Sequence, residues 1–153
     1  MGRIGWRWLS VSLVVANGCR SEAPSPEELF TARSLGARYL ERGQLPEAEE
    51  QFKKIVALAP RDPFGYTNLG LTYMQSGRYA DAETQLSRAR ELTPANADVG
   101  RMIAKLYALN GRRTDARTTL ERLRTAEPRD AKVLYALAEL EAQDEQAVGP
   151  SSA

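Results

Sequence analysis

The sequence predicts an all-α protein built as an array of repeated helix–turn–helix units. Three prolines recur every 34 residues: Pro60, Pro94 and Pro128. Three glycines recur midway between them with the same spacing: Gly43, Gly77 and Gly111. Because proline cannot continue a helix and glycine commonly ends one, the two series mark alternating helix ends. The third observation is the composition, with 42% hydrophobic but only 7% aromatic residues and an abundance of the helix formers Ala, Leu, Glu and Arg.

Charge and composition argue against catalysis and against nucleic acid as a partner. The formal net charge is only +1, so the chain has no basic field to attract phosphate groups. The chain has no histidine, which is the commonest general base and metal ligand. Its one cysteine, Cys19, cannot form an intramolecular disulfide or a cysteine-based zinc site. We therefore predict a protein that is not an enzyme and that has neither a cofactor nor a metal.

The amino terminus, residues 1–18, has the features of a signal peptide. Arg3 and Arg7 are followed by an uncharged, mostly apolar run at 8–16 and then by small residues. This run is shorter than the roughly 20 apolar residues that span a bilayer, which disfavours an uncleaved membrane anchor. The alternatives are ordinary cleavage, which gives a soluble secreted or periplasmic protein, and a cytosolic protein.

Cys19, close behind that run, resembles the lipobox cysteine of bacterial lipoproteins, which is acylated and becomes the first residue of the mature chain. Gly18 is the expected small residue, whereas Ala16 and Asn17 depart from the pattern. The resemblance implies lipidation and a lipid-anchored position on the periplasmic side of a bacterial envelope membrane. Residues 19–27 are polar and contain two prolines, so we expect them to form a flexible tether.

Three repeat units occupy most of a domain that we place at 28–144. Their limits are 29–62, 63–96 and 97–130. Ser25 and Glu28 have the spacing of a capping box and predict the start of the first helix. Each proline turn then carries a residue that can cap the next helix: Asp62, Asn96 and Asp130.

The middle unit carries Leu69-Gly70-x-x-Tyr73, followed by Ala82 and Pro94. On a 34-residue period this pattern resembles the tetratricopeptide repeat. The resemblance implies that the units stack into a right-handed superhelical array. The first unit has Ala32 at a position where the family has a large residue, and the third has Gly100 there. A glycine inside a helix costs about 1 kcal/mol relative to alanine, so we expect the first helix of the third unit to be the softest.

The chain after the third unit predicts one further helix at 131–144. It is apolar at Val133, Leu134, Leu137 and Leu140, so it would cover the open face of the third unit as a capping helix. The polar, Gly- and Pro-containing residues 145–153 predict a disordered tail.

The resemblance to the tetratricopeptide repeat implies a concave groove, lined by the first helix of each unit, that binds a peptide or helix of another protein. Carried over position by position, the groove residues are Phe30, Arg33, Phe64, Thr67, Asn68, Leu71, Met74, Arg101, Met102, Lys105, Lys132 and Tyr135. The cations among them would bind carboxylates, and the apolar residues would receive anchors of the ligand. Their alternative roles are structural, as solvated charges or as packing between adjacent helices.

Some members of the family hold a terminal carboxylate with a clamp of Lys, Asn and Arg. Asn68 and Arg33 suit that clamp, but Ala37, Asp98 and Met102 do not, and Asp98 would repel a carboxylate. We therefore do not expect a clamp for chaperone tails.

The favoured function is a non-enzymatic scaffold or adaptor, tethered to a bacterial envelope membrane, that holds a partner segment during envelope, pilus or secretion assembly. The alternatives are a self-assembling structural protein, which would form homo-oligomers, and a non-catalytic subunit of an envelope enzyme.

Overall fold

The computed structural model describes residues 25–148, with side chains described as far as residue 144. Within that range the chain forms seven α-helices and no strand. The helices are α1 (Pro26–Glu41), α2 (Leu45–Leu58), α3 (Pro63–Gln75), α4 (Tyr79–Leu92), α5 (Ala97–Leu109), α6 (Arg113–Ala126) and α7 (Ala131–Val148). None of the seven combines the length and the apolar character that a membrane span requires. The predicted all-α repeat array is confirmed.

Each helix packs against the next one in the chain, which gives three hairpins, α1–α2, α3–α4 and α5–α6, followed by α7. Helix α3 also contacts α5, and α5 contacts α7. The odd-numbered helices therefore share one layer of the array. This arrangement places the first helix of every unit on a common face.

Side-chain caps begin four of the helices, as the sequence predicts. The Oγ of Ser25 accepts a hydrogen bond from the backbone N–H three residues later at 3.1 Å. Asp62 caps α3 through a 2.9 Å bond from the N–H two residues later, and Asn96 and Asp130 cap α5 and α7 in the same way. The turn inside each hairpin contains a glycine in the left-handed conformation, with φ between 69° and 76°: Gly43, Gly77 and Gly111.

Two predicted boundaries are wrong by a few residues. Helix α1 begins at Pro26, so the last two residues assigned to the tether are helical. Helix α7 continues to Val148, so residues 145–148 belong to this helix rather than to a disordered tail. The predicted signal peptide, Cys19 and residues 20–24 of the tether lie outside the described residues, as do residues 149–153.

Small residues allow the two helices of a hairpin to approach closely. A Cβ atom at Gly36 would lie 2.7 Å from Cε1 of Phe52, and one at Gly70 would lie 2.5 Å from Cγ of Leu86. Phe52 and Leu86 are both completely buried. Packing therefore requires these two glycines, since each leaves the space that a large side chain of the paired helix fills.

Gly100, which stands where the family has a large residue, lies next to a large side chain of the paired helix. A Cβ atom there would lie 2.9 Å from both Cδ atoms of Leu123. The equivalent pairs in the other units are Ala32 with Ile55 and Tyr66 with Ala89. Each unit therefore combines one small and one large residue at these two positions, and Gly100 reflects an exchange of volume between helices.

Arginine–carboxylate pairs join successive units at equivalent positions. Arg78 bonds Glu49 of the preceding unit at 2.9 Å, and Arg112 bonds Glu83 at the same distance. Each guanidinium also lies over a tyrosine ring, 4.2 Å from the ring centroid. A hydrogen bond from Lys53 lowers the pKa of Glu49, which favours the charged form that these contacts need.

The last junction reverses this charge pattern. Arg117 stands where the two earlier units have glutamate, and it bonds Asp144 of α7 at 2.7 Å and Glu141 at 3.3 Å. Arg113 also pairs with Asp144 and donates to the carbonyl oxygen of Leu140 at 2.9 Å. The hydrogen bond from Arg113 lowers the pKa of Asp144. Helix α7 is thus attached to α6 by two arginines near its C-terminal end.

The buried apolar residues form two clusters that meet at α5. The first runs from α1 to α5 and includes Phe52 and Leu86. The second joins α5, α6 and α7 through residues such as Ala104, Leu120 and Leu137. The C-terminal part of the array therefore has a core of its own.

Candidate functional site

A cleft of about 770 Å³ opens between α5 and α7, with α3 at its edge. Six of the predicted groove residues line it: Leu71, Arg101, Met102, Lys105, Lys132 and Tyr135. Its apolar floor reaches Ala116 and Leu120 of α6. The volume falls within the range of about 300–1,000 Å³ that is typical of ligand sites.

Two alanines explain why this junction is open. Met74 of α3 is buried, and Met102 of α5 packs against the core cluster that contains it. The residues 34 positions later are Ala108 and Ala136, and both line the cleft. Each exchange shortens a long side chain to a methyl group. At these two positions the α5–α7 junction therefore has less side-chain volume than the α3–α5 junction.

Charged side chains surround the apolar floor. Three are cationic and two are acidic: Arg101, Lys105, Lys132, Asp98 and Glu139. Asp98 is shared, because it pairs with Arg101 and also lies 3.7 Å from Nζ of Lys132. Lys105 forms no ion pair with the part of the chain that the structure describes. The cleft thus offers apolar contact together with a small excess of positive charge.

Two exposed apolar residues stand at the mouth of the cleft. Tyr135 of α7 is 71% exposed, and Leu109 at the end of α5 is 49% exposed. A tyrosine offers a large contact area with few rotatable bonds, so its side chain loses little conformational entropy when a ligand covers it. Both residues therefore extend the apolar surface from the floor to the rim.

The predicted groove residues of α1 and α3 mostly have partners within the fold. Arg33 pairs with Asp62, and its guanidinium lies 5.1 Å from the centroid of the Phe64 ring. The Thr67 hydroxyl and the Asn68 amide each donate to the backbone carbonyl four residues earlier, at 2.8 and 2.9 Å. Arg33 and Asn68 are the two residues that would suit a carboxylate clamp, and both are engaged in these internal contacts.

Phe30 and Met74 lie apart from the cleft for opposite reasons. Phe30 is 71% exposed on α1, at the other end of the array. Met74 is only 5% exposed and belongs to the first core cluster, so its assignment to the groove surface is wrong. Met74 follows Gly70 by four residues, which places it on the helix face that packs against α4.

The sequence-based prediction missed the floor of the cleft. The floor residues are Ala104, Ala108, Ala116, Leu120, Ala136 and Leu140. Their pattern is ordinary for packed helices, so composition and periodicity give no signal. A comparison of equivalent positions in successive units would have found the two methionine-to-alanine exchanges. The described residues contain no group of three or more His, Cys, Asp or Glu side chains that could hold a metal ion.

A family model described as tetratricopeptide repeat matches residues 39–99 and 73–140 of the chain. Together the two matches span residues 39–140, from the end of α1 into α7, and include all but one of the residues that line the cleft. A search of curated proteins gives no match.

Several solved structures are similar to this chain in fold. The first TPR domain of Spaghetti (RPAP3), bound to the HSP90 peptide SRMEEVD, has a TM-score of 0.69 and 18% identity over 79% of this chain and 96% of that one. The type III secretion chaperone SycD of Yersinia enterocolitica, in complex with a peptide of the translocator YopD, has a TM-score of 0.68 and 17% identity over 79% and 98%. MamA has a TM-score of 0.67 and 22% identity over 78% and 70%.

Proposed function

Because the chain belongs to the tetratricopeptide repeat family, we propose that it is a non-catalytic interaction module that binds a peptide or helical segment of another protein. The open cleft between α5 and α7 carries this proposal. It combines an apolar floor with charged walls, which is the composition of sites that hold a peptide in a defined orientation. Two structures of similar fold contain a bound peptide, which supports the same type of ligand here.

Site-specific photocrosslinking tests this function. A photoreactive phenylalanine analogue at Tyr135 would stand at the mouth of the cleft, whereas the same analogue at Arg122 would stand on an exposed part of α6 outside it. We expect a discrete adduct with another protein in living cells from position 135 and none from position 122. Adducts of equal yield from both positions would mean that contact with the cleft is not specific.

We further propose that the array is tethered to a bacterial envelope membrane through a lipid on Cys19 and acts as a scaffold or adaptor in envelope, pilus or secretion assembly. The support is the order of features at the amino terminus: basic residues, an apolar run, Gly18-Cys19 and a polar segment before α1. Labelled palmitate should enter the wild-type chain but not Cys19→Ser. Equal labelling of the two chains would contradict lipidation at this residue.

A further inference from the structure

We propose that the cleft between α5 and α7 holds one large apolar anchor residue of the partner, such as Met, Leu or Phe, with an acidic residue close to it in the partner's sequence. This inference rests on the proposed binding function and names the chemistry of the partner segment. It depends on the two alanines in the floor and on the charges around the rim.

Side-chain sizes at equivalent positions of successive repeat units account for the apolar anchor. At the α3–α5 junction, Met74 and Met102 supply side-chain volume from within the chain. At the α5–α7 junction, Ala108 and Ala136 leave that volume unfilled, and Leu120 lines the open space. A partner side chain of similar length can occupy the space and remove apolar surface from water, at about 25 cal/mol for each Å² buried.

The charges at the rim of the cleft account for the acidic residue beside the anchor. Asp98 must serve both Arg101 and Lys132, and Lys105 has no carboxylate partner in the described part of the chain. A carboxylate of the partner that reaches Lys105 would therefore form a new pair without breaking an existing one. Charge complementarity of this kind also raises the rate of association at low salt.

The experiment fills the cleft from within. Random short peptides displayed on phage are selected against the full chain, and synthetic versions of the enriched peptides are then titrated. The test variant carries Ala108→Met and Ala136→Met, which restore the side chains of the preceding junction. The control is Ala80→Met, which adds one of the two methionine side chains at an exposed site on α4. Urea unfolding of every variant shows whether the fold is kept.

We expect the enriched peptides to share an apolar anchor and an acidic neighbour. We expect the double variant to unfold at the same or a higher urea concentration than the wild type, yet to bind the peptides at least about tenfold more weakly, because the anchor makes most of the contact. The Ala80→Met variant should bind like the wild type. Lys105→Glu should weaken binding several-fold, and more at low salt than at high salt.

Each other outcome contradicts a defined part of the inference. Equal binding by the wild type and the filled variant would place the ligand elsewhere on the array, while peptide binding as such would still stand. Peptides without a shared acidic residue would overturn the charge assignment. A wild type that sediments as a dimer and a filled variant that sediments as a monomer would make a second copy the occupant. Failure to enrich any peptide would contradict the proposed function as well.

Discussion

The α3–α5 and α5–α7 junctions use the same positions of successive units and differ in how those positions are filled. In the first, Met74 is part of the core and Met102, which also lines the cleft, packs against that core, while Thr67 and Asn68 nearby are bonded within the fold. In the second, Ala108 and Ala136 leave a cleft of about 770 Å³. One repeat pattern therefore yields a closed junction or an open one, and two side chains decide which.

This contrast shows where a repeat protein can place a binding site without changing its backbone. The glycine turns and the side-chain caps recur along the array, so they maintain the helix directions. Side-chain volume at the junction can then vary from unit to unit. The two junctions should therefore differ in stability as their packing differs.

The largest expected difference concerns matched leucines of α4 and α6. Leu86 is completely buried against Gly70, whereas Leu120 borders the cleft. Leu86→Ala should lower the free energy of unfolding by about 3–5 kcal/mol. Leu120 is also buried, at 3% exposed, but Leu120→Ala should cost only about 2 kcal/mol, because the space it leaves opens into the cleft and does not form a closed cavity. Urea unfolding followed by circular dichroism measures both losses. Equal losses would mean that the open junction is packed as tightly as the closed one.

Removing the side chain that closes the α3–α5 junction should have the next largest effect. Met74→Ala should cost about 2–3 kcal/mol, because the cavity it leaves lies within the first core cluster. The control is Ala80→Met, which adds a methionine side chain at an exposed position and should change the free energy of unfolding by less than about 0.5 kcal/mol. If Met74→Ala costs no more than the control, the methionine does not close the junction.

Alanine substitutions at two glycines of the array should affect stability differently. A Cβ atom at Gly70 would lie 2.5 Å from Cγ of Leu86, whereas the atoms nearest to one at Gly100 would be the terminal Cδ atoms of Leu123 at 2.9 Å, with Cγ farther away at 3.3 Å. Gly70→Ala should therefore destabilise by about 1–3 kcal/mol through overpacking. Gly100→Ala should be neutral or stabilise by up to about 1 kcal/mol, because alanine favours the helix and the leucine ends can move. Thermal unfolding of the two variants measures this difference, and an equal decrease in both midpoints would contradict it.

The repeat limits, the caps and the helix turns could be predicted from sequence because local residues determine them. Asp62 and Gly77, for example, act on the backbone within a few positions of themselves. The cleft could not be predicted in this way, because it depends on volumes contributed by helices distant in sequence. Met74 was misplaced for the same reason, since its burial depends on the core cluster that it forms with residues of other helices.

The extent of α7 was also underestimated, and its attachment leads to the smallest predicted effect. Helix α7 has no later helix in the described range to pack against its outer side, and Arg113 and Arg117 hold its C-terminal part through Asp144. The hydrogen bond from Arg113 lowers the pKa of Asp144 in the folded state. The stabilisation is therefore complete above the unfolded-state pKa of about 3.9 and is lost as the pH falls through the lower folded-state pKa.

Amide hydrogen exchange resolved by helix measures this effect. As the pH is lowered below about 4, the protection of α7 should decrease in the wild type before that of α3 and α4, once the intrinsic pH dependence of exchange is subtracted. In Asp144→Asn, protection of α7 should already be reduced at neutral pH and should show less additional loss in acid. The carboxamide keeps the shape of the side chain but lacks the charge that binds the two arginines. If the variant and the wild type lose protection in parallel, the two arginines do not hold α7, and its packing against α5 and α6 is what attaches it to the array.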